Sequence, residues 1–272
     1  MNLSEMRQIL SARNIQLTKS LGQNFLHDGN QLRRIVQAAD LGAGDSVLEI
    51  GPGLGPLTEL LLERASHVLA IETDRRLVEF LSARFQSPKL ELLHRDALEI
   101  ARDKGRDWSA WKLVSNLPYS VASPILVELA ENQRAPKLMT ITLQIEVALR
   151  IQAQAGDANY GLLSLLLQVR YEPVSFFKIP AASFFPAPEV DSACLTLRMR
   201  AEPLLPVDQL PKFKRIVKKA FSERRKMMLK LLKQEWPPDR LAAAFQIVGL
   251  NPQVRAEAVT LDQFVRLTRE LS

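Results

Sequence analysis

Residues 46–61, SVLEIGPGLGPLTELL, place an apolar strand pattern (46–50), a glycine-rich turn and the start of a helix in direct succession. Apolar strand patterns recur at 67–72, 89–94 and 111–116, and helical patterns separate them. Strands that alternate with crossover helices form a parallel sheet with helices on both faces. The sequence therefore predicts an α/β fold with a Rossmann-like, doubly wound sheet.

The pattern continues beyond the fourth strand and then changes. We expect a helix over 123–131, a strand over 137–143 and a helix over 146–155. Two later segments, 164–179 and 191–200, look like strands that close the sheet in antiparallel fashion. The first domain would then end near the last of these strands.

A proline-rich segment marks the domain boundary. Residues 201–211, AEPLLPVDQLP, contain three prolines and are typical of a linker. The chain beyond this segment has helical periodicity, with one apolar face formed by Phe213, Ile216, Val217, Ala220 and Phe221. We predict a Rossmann-like domain over residues 1–200 and a small helical domain over residues 201–272.

The positive charge of the chain is concentrated in one segment. Residues 212–233 contain ten Lys or Arg residues and one Glu, a formal net charge of +9. The whole chain carries +6, so the other 250 residues together carry −3. We predict one basic helix over this segment, with outward-facing Lys218, Lys219, Arg224, Arg225 and Lys226. A nucleic-acid partner and a merely solvated helix face both agree with this pattern.

Composition limits the class of protein. The single cysteine, Cys194, cannot form an internal disulfide, which favours a reducing compartment. The first residues, MNLSEMRQIL, lack the apolar stretch of a secretory signal, and no apolar run is long enough to span a bilayer. We expect a cytoplasmic, monomeric protein without a membrane segment or a metal site.

The glycine turn indicates which nucleotide it could bind. Gly51 and Gly53 let the backbone approach a ligand, but Pro56 stands where a dinucleotide fingerprint has its third glycine. Proline at that position suits the first turn of a helix. Glu49, at the end of the strand, would repel a phosphate but attract a sulfonium and an α-amino group. These residues favour S-adenosylmethionine over NAD.

Two further acids follow the next strands. Glu72 lies 21 residues after Gly51, where a carboxylate can accept both ribose hydroxyls. Asp96 follows the third strand and could accept from an adenine amine. Ligands of open α/β sheets bind at the carboxyl ends of the strands, so we expect these acids and the glycine turn at one edge. Helix N-capping is the alternative role, and it is common for Asp.

The sequence NLPY (116–119) follows the fourth strand. Asn116 and the Leu117 carbonyl can accept both hydrogens of an exocyclic amine, which favours the developing ammonium of the transition state. Pro118 restricts the turn, and Tyr119 offers a stacking face for a base that has left its helix. An ordinary turn is the alternative interpretation.

Several motifs, in this order along the chain, resemble those of the rRNA adenine dimethyltransferases, most of all the bacterial small-subunit type. They are SLGQNFL (20–26), VLEIGPGLGPLT (47–58), AIETD (70–74), DAL (96–98), NLPYSVASP (116–124), QIEVALRI (144–151), FFPAPEVDSA (184–193), FSERRKMML (221–229) and VRAEAVTLDQF (254–264). The resemblance implies that S-adenosylmethionine methylates the exocyclic amines of two adjacent adenosines, twice each, in a hairpin near the 3′ end of small-subunit (16S) rRNA. The substrate would be free rRNA or a pre-30S particle, and the protein would act in small-subunit biogenesis.

The resemblance also implies roles for individual residues. Asn24 and Leu26 would line the cofactor site together with Gly51, Gly53, Glu72, Asp96 and Asn116. Asn116 and Tyr119 would act on the target base, and Phe184 would stack on its other face. From the sequence alone, Phe184 looks like a core aromatic residue at a strand end. In the family the basic helix usually continues from RRK into an Asn, whereas this chain has RRKMMLKLL.

Three alternatives remain open at this point. A resistance-type methyltransferase of large-subunit rRNA is disfavoured by the complete C-terminal motifs FSERRK and RAEAVTLDQF. A DNA adenine methyltransferase usually carries a target-recognition insertion, and the sequence shows none. A non-catalytic RNA-binding assembly factor would not need the combination of Gly51, Glu72, Asp96 and Asn116.

Overall fold

The computed structural model describes residues 1–15, 23–223 and 225–272. The chain forms two compact units, the first from residues 1–148 and 173–199, the second from residues 149–172 and 200–272. The division therefore differs from the one predicted at residue 200, because residues 149–172 cluster with the C-terminal part. In the described part of the chain, no helix combines the length and the apolar character that crossing a bilayer requires.

The first unit is built around a seven-stranded sheet with helices between its strands. Its elements are α1 (Leu3–Ala12), β1 (Phe25–Leu26), α2 (Gly29–Ala38), β2 (Ser46–Ile50), α3 (Pro56–Arg64), β3 (His67–Glu72), α4 (Arg75–Arg84), β4 (Leu90–His94), α5 (Ala97–Arg102), β5 (Trp111–Asn116), α6 (Ala122–Glu131), β6 (Leu138–Gln144), α7 (Ile145–Gln152), β7 (Tyr171–Ile179), β8 (Phe184–Phe185) and β9 (Ser192–Met199). Both α7 and β7 extend across a unit boundary.

The strand order is β4–β3–β2–β5–β6–β9–β7. The strands from β4 to β6 pair in parallel, and β9 pairs antiparallel with β6, with Met139 opposite Leu197. The central strands β2, β3 and β6 are buried along almost their whole length, which explains their continuous apolar sequences. The predicted Rossmann-like fold and its antiparallel closure are confirmed.

One predicted strand is partly a helix. The segment expected to be a strand over 164–179 begins inside α8 (Leu162–Gln168), and only its second half forms β7. Ser164 Oγ accepts from the Gly161 N–H (3.1 Å), and the Gln168 side chain donates to two main-chain carbonyls at the end of α7 (2.7 and 2.9 Å). These contacts stabilise helix ends, whereas an unbroken apolar run does not distinguish a helix from a strand.

The second unit is helical, and its basic segment is not one helix. Its elements are α8, α9 (Leu210–Ala220), α10 (Met228–Leu232), α11 (Pro238–Val248) and α12 (Leu261–Glu270). The predicted helix over 212–233 is wrong, because a turn separates α9 from α10. The Met228 N–H donates to the Val254 carbonyl (2.9 Å) rather than to a residue one helical turn earlier. A tertiary hydrogen bond thus takes the place of a helical one.

The apolar face predicted for the basic segment is present on α9. Its members Phe213, Ile216, Val217 and Ala220 are buried. Phe221 follows the helix end, and its ring contacts those of Tyr160 and Phe264 at centroid distances of 6.1 Å each. Long-range contacts also hold residues 149–172 in this unit, because the Tyr160 hydroxyl donates to the Val259 carbonyl (2.9 Å).

The amino-terminal edge of the sheet carries a fully paired acid. Asp45, just before β2, accepts from Lys112 Nζ and Lys137 Nζ at 2.8 Å each, and from the Gly42 N–H at 2.8 Å. Its side chain is 14% exposed. Burial raises the pKa of Asp45, but the hydrogen bonds from the two lysines outweigh that effect and bring the pKa well below its usual range. The cluster joins the starts of β2, β5 and β6.

Candidate active site

The carboxyl ends of β2, β3 and β5 surround a cavity in the first unit whose empty volume, with its opening to solvent, is about 420 Å³. The residues that line it are Gln23, Asn24, Phe25, Gly51, Gly53, Glu72, Thr73, Leu77, Asn116, Leu117 and Pro118. Five predicted cofactor residues are therefore brought together, although they come from four separate parts of the sequence. They are Asn24, Gly51, Gly53, Glu72 and Asn116.

The turn after β2 requires glycine for two reasons. Gly51 and Gly53 have φ of +69° and +62°, a region that residues with a Cβ rarely adopt. A Cβ on Gly53 would also lie 2.6 Å from ring atoms of Phe25, and one on Gly51 would lie 3.1 Å from Pro118. Pro56 occupies the first turn of α3, as predicted. Because Gly51 and Gly53 have no side chains, the main chain of this turn lines the cavity directly.

Glu72 ends β3 with its carboxylate held by the main chain. Its Oε1 accepts from the N–H groups of Thr73 and Asp74 at 2.9 Å each, and its Oε2 accepts from the Gly53 N–H at 3.3 Å. Burial raises the pKa of the carboxyl, and these hydrogen bonds oppose the rise. Glu72 is thus fixed against the glycine turn and retains acceptor capacity toward the cavity.

Glu49 is a buried acid without full compensation. It is 1% exposed and lines a smaller cavity that also contacts Gly51, Leu26 and Asn116. Within the described residues its Oε2 has no hydrogen-bond partner. Burial raises the pKa of Glu49 to about 8, and the charge of Glu72 contributes to the rise. Such an acid is stabilised by a cationic ligand, because a nearby positive charge favours its ionised form.

Asn116 presents an oriented acceptor at the end of β5. Its Nδ2 donates to the Asn24 carbonyl (3.0 Å), which fixes the plane of the amide. Its Oδ1 is buried and accepts no hydrogen bond from any residue the structure describes. Leaving a buried acceptor unpaired costs about 1–3 kcal/mol, so the arrangement favours a ligand that donates to this oxygen.

Tyr119 lies outside the lining of the main cavity. Its hydroxyl forms a hydrogen bond with Ser192 Oγ (2.5 Å), and burial raises its pKa to about 12. The phenol is therefore neutral at physiological pH and is held in place by β9. The ring is only partly buried, which leaves part of it accessible.

Besides Tyr119, two predicted site residues are not part of either cavity. Asp96 is exposed and caps α5, with its Oδ1 accepting from the Leu98 N–H (2.8 Å). Phe184 is 2% exposed and packs in the core with Leu26, opposite it in the β1–β8 pair. The predicted stacking role of Phe184 conflicts with this burial, because neither face of its ring is open to a base. The adenine contact of Asp96 stays a prediction.

Sequence reasoning missed several residues that line the main cavity. Gln23 Nε2 donates to Asp74 Oδ2 (3.3 Å), which links the segment before β1 to the start of α4. Thr73 and Leu77 enter the cavity because they follow Glu72 closely. Their position in the sequence could have revealed them. Residues that directly follow an acid at the carboxyl end of a strand lie at the same edge of the sheet as that acid.

The predicted cations of the second unit are in different situations. Lys218 is exposed on α9, and Arg225 is exposed in the turn before α10. Lys219 donates to a glutamine side chain (2.6 Å), and Lys226 pairs with a glutamate (2.7 Å). Arg224 lies outside the described residues.

The donor set of the main cavity fits one class of cofactor. A glycine turn that exposes main chain, an acid beside it and a buried acid suited to a cation match a ligand that combines a ribose with a positive charge. The fold and this pocket define an S-adenosylmethionine-dependent methyltransferase. Residues 14–272 match the family model for ribosomal RNA adenine dimethylase. The chain belongs to this family.

Relatives of known name agree over nearly the whole chain. A ribosomal RNA small subunit methyltransferase A from Protochlamydia amoebophila is 38% identical over 275 residues, which cover 98% of this chain and 96% of that protein. One of the same name from Prosthecochloris aestuarii is 40% identical and covers 93% of each chain.

Solved structures share the fold. The 23S rRNA methyltransferase ErmE superposes with a TM-score of 0.70 at 30% identity, over 91% of this chain and 99% of that one. A dimethyladenosine transferase from Plasmodium falciparum superposes with a TM-score of 0.73 at 24% identity, over 89% of this chain and 95% of that one. The chain is thus an rRNA adenine dimethyltransferase that uses S-adenosylmethionine.

Proposed function

We propose that this enzyme dimethylates the exocyclic amines of two adjacent adenosines in a hairpin near the 3′ end of small-subunit rRNA. The observation that carries amine methylation is the unpartnered Oδ1 of Asn116 beside the cofactor pocket. The choice of the small subunit is supported by relatives named for that substrate at about 38% identity over nearly full length.

Asn116 has the central role in this proposal. The lone pair of an adenine amine is delocalised into the ring, so the amine is a poor nucleophile. Asn116 Oδ1 and the Leu117 carbonyl accept its two N–H groups and favour the pyramidal nitrogen of the transition state over the planar ground state. The Asn24 carbonyl positions the amide for this task, since it already holds Nδ2.

The cofactor residues act on distinct parts of the ligand. S-adenosylmethionine supplies an electrophilic methyl group. Glu72 would accept from the ribose hydroxyls, and Glu49 would stabilise the positive charge of the ligand. Gly51 and Gly53 provide main chain that can come close. Asn24 and Leu26 would close the pocket from the β1 side, and Asp96 would accept from the adenine amine.

The target base would stack on Tyr119. Its ring is partly accessible and its hydroxyl is fixed by Ser192. An adenosine that has left its helix exposes both faces, and an aromatic ring replaces part of its lost stacking. Phe184 would support this region from the core rather than contact the base, since it is buried.

The basic residues of the second unit would hold the RNA backbone. Lys218, Lys219, Arg224, Arg225 and Lys226 would neutralise phosphates, which position an RNA without reading its sequence. We further propose that the substrate is small-subunit rRNA, free or in a pre-30S particle, and that the enzyme acts as a monomer in the cytoplasm during small-subunit biogenesis.

A second candidate substrate is large-subunit rRNA, favoured by the similarity to a 23S rRNA methyltransferase at 30% identity. The test is transfer of labelled methyl groups to unmethylated small subunits, large subunits and DNA. We expect two dimethylated adenosines per small subunit and no transfer to the others. Transfer to large subunits alone would replace the first proposal with the second.

A further inference from the structure

The second unit contains an open groove along α9. Of the residues predicted to bind RNA, Lys218 and Lys219 line this groove. The groove has an empty volume of about 770 Å³. Its lining consists of Pro211, Lys214, Arg215, Lys218, Lys219, Ser222 and Glu235. Four of these side chains are cations and one is an anion, so the groove is strongly positive.

The cations are spaced for an extended polyanion. Lys214 and Lys218 are one helical turn apart, and so are Arg215 and Lys219. The four cations extend over about 7.5 Å of the helix axis at 1.5 Å per residue, and Ser222 follows the helix end. A row of cations of this length suits neighbouring phosphates of one strand rather than a single small anion.

Glu235 occupies the groove from the opposite side. Its Oε2 accepts from Arg215 Nε (2.6 Å), and its Oε1 lies 3.9 Å from Lys219 Nζ. The turn after α10 holds it, because its N–H donates to the Leu232 carbonyl (2.9 Å). The guanidinium of Arg215 also lies over the Trp236 ring, 4.9 Å from its centroid. The carboxylate thus holds Arg215 by a hydrogen bond and lies within ion-pair distance of Lys219, whose amine donates to the Gln234 side chain (2.6 Å).

We propose that this groove binds the phosphate backbone of the RNA substrate and that Glu235 competes with it for Arg215 and Lys219. The proposal rests on the function proposed above. The side chains of Arg215 and Glu235 are 61% and 26% exposed, and exchange is feasible because exposed ion pairs contribute little free energy. A backbone phosphodiester offers two acceptor oxygens and one negative charge, as the carboxylate of Glu235 does. Glu235 therefore lowers RNA affinity and keeps binding reversible.

The test compares Glu235→Gln with Glu270→Gln. Both variants remove one negative charge from the second unit, but Glu270 is exposed near the end of α12 and does not line the groove. Filter binding of protein-free small-subunit rRNA is measured over a series of salt concentrations. We expect Glu235→Gln to bind about three- to tenfold more tightly at low salt. Its salt slope should be steeper by about 0.7–0.9, the value of one added phosphate contact. Equal behaviour of the two variants would overturn the proposal.

A second pair of variants tests whether Glu235 acts through its two partners. Glu235→Gln is added to a chain that carries Arg215→Gln and Lys219→Gln, and thermal unfolding checks that each protein is folded. We expect the gain from Glu235→Gln to vanish in that background, because the competed cations are gone. A gain of unchanged size would show that Glu235 does not act on the groove and would overturn the proposal.

Methyl transfer to small subunits, measured in parallel, separates this proposal from the function it rests on. One outcome is that neither the unaltered enzyme nor the variants methylate small subunits while Glu235→Gln still binds RNA more tightly than Glu270→Gln. The groove proposal is then supported and the proposed substrate is wrong. If the unaltered enzyme methylates small subunits while the two variants bind alike, only the groove proposal fails.

Discussion

The acids at the two edges of the same sheet have pKa values shifted in opposite directions. At the amino edge, Asp45 is paired with two lysines, which together lower its pKa. At the carboxyl edge, burial raises the pKa of Glu49 and of Glu72. Within the described residues, the hydrogen bonds that Glu72 accepts come from main-chain N–H groups. Glu49 Oε2 has no hydrogen-bond partner among those residues.

This difference separates stability from function within one framework. The amino edge satisfies its polar groups and joins three strands. The carboxyl edge keeps acceptors incompletely paired, which costs stability but leaves them available to a ligand. An acid that lacks a counter-charge within the protein therefore indicates a ligand-binding role when it lies at the carboxyl edge, where α/β sheets bind ligands.

The largest effect is expected at the carboxyl edge from Asn116→Ala. Methyl transfer should fall by about 100-fold or more, because an acceptor that acts mainly in the transition state is lost. RNA affinity and the free energy of unfolding should change little. Single-turnover methylation and filter binding measure the two quantities. A loss of RNA affinity in proportion to the rate would make Asn116 a binding residue instead.

The amino edge should respond to Asp45→Ala in stability alone. We expect the free energy of unfolding at pH 7 to fall by about 2–3 kcal/mol, since Lys112 and Lys137 lose their shared partner. The lowered pKa of Asp45 means that its contribution is present above the pKa of the unfolded carboxyl and is lost as pH falls through the folded value. In urea unfolding the two proteins should therefore begin to converge only below about pH 4 and become equal only below the folded pKa of Asp45. Reduced cofactor affinity at pH 7 would contradict the separation of the two edges.

Glu72→Ala should weaken cofactor binding, and because it also removes the acceptor of three main-chain N–H groups, urea unfolding is measured alongside. Cofactor affinity should weaken by about 2 kcal/mol, because ribose hydroxyls lose their acceptor. Calorimetry with S-adenosylmethionine and its demethylated product measures this loss, which should be similar for both since they share the ribose. Unchanged affinity would remove Glu72 from the site.

The sharpest contrast with Asp45 is Glu49→Gln, which we expect to stabilise the protein. The pKa of Glu49 is raised from 4.5 to about 8, so the folded carboxyl retains a proton that the unfolded chain has released. The native protein thus loses stability as pH rises from 4.5 to 8, and the variant should be more stable by several kcal/mol at pH 8.

The same change should reduce cofactor binding. Affinity of the native enzyme should rise with pH as Glu49 ionises, whereas affinity of the variant should be weaker and independent of pH in this range. Urea unfolding and calorimetry at pH 6 and pH 9 check both expectations. A variant of lower stability would show that Glu49 is a structural residue like Asp45.

The sequence alone predicted the sheet and the strand-end residues of the pocket, because both follow from short-range order. The strand and helix alternation determines a parallel sheet, and its carboxyl ends necessarily meet, which brought Gly51, Glu72 and Asn116 together. Pro56 at a helix start is equally local.

Features that depend on distant contacts were not predictable. The helix break after Ala220 requires the hydrogen bond from Met228 to Val254. The burial of Phe184, in contrast, agrees with its apolar strand-end sequence and conflicts only with the stacking role that the resemblance implied. The apolar run of α8 contains no periodic signal that excludes a strand.

The second unit is assembled from two separated stretches of chain, and this order has a consequence for synthesis. Tyr160 and its acceptor Val259 are 99 residues apart. At about 5–20 residues per second, Tyr160 emerges roughly 5–20 seconds before Val259 exists. Helix α8 packs against α9, so its buried side chains Leu165, Leu166 and Leu167 lack that partner until α9 has been made. A chain that stops near residue 200 would never bury them, so it should aggregate rather than yield an isolated catalytic unit.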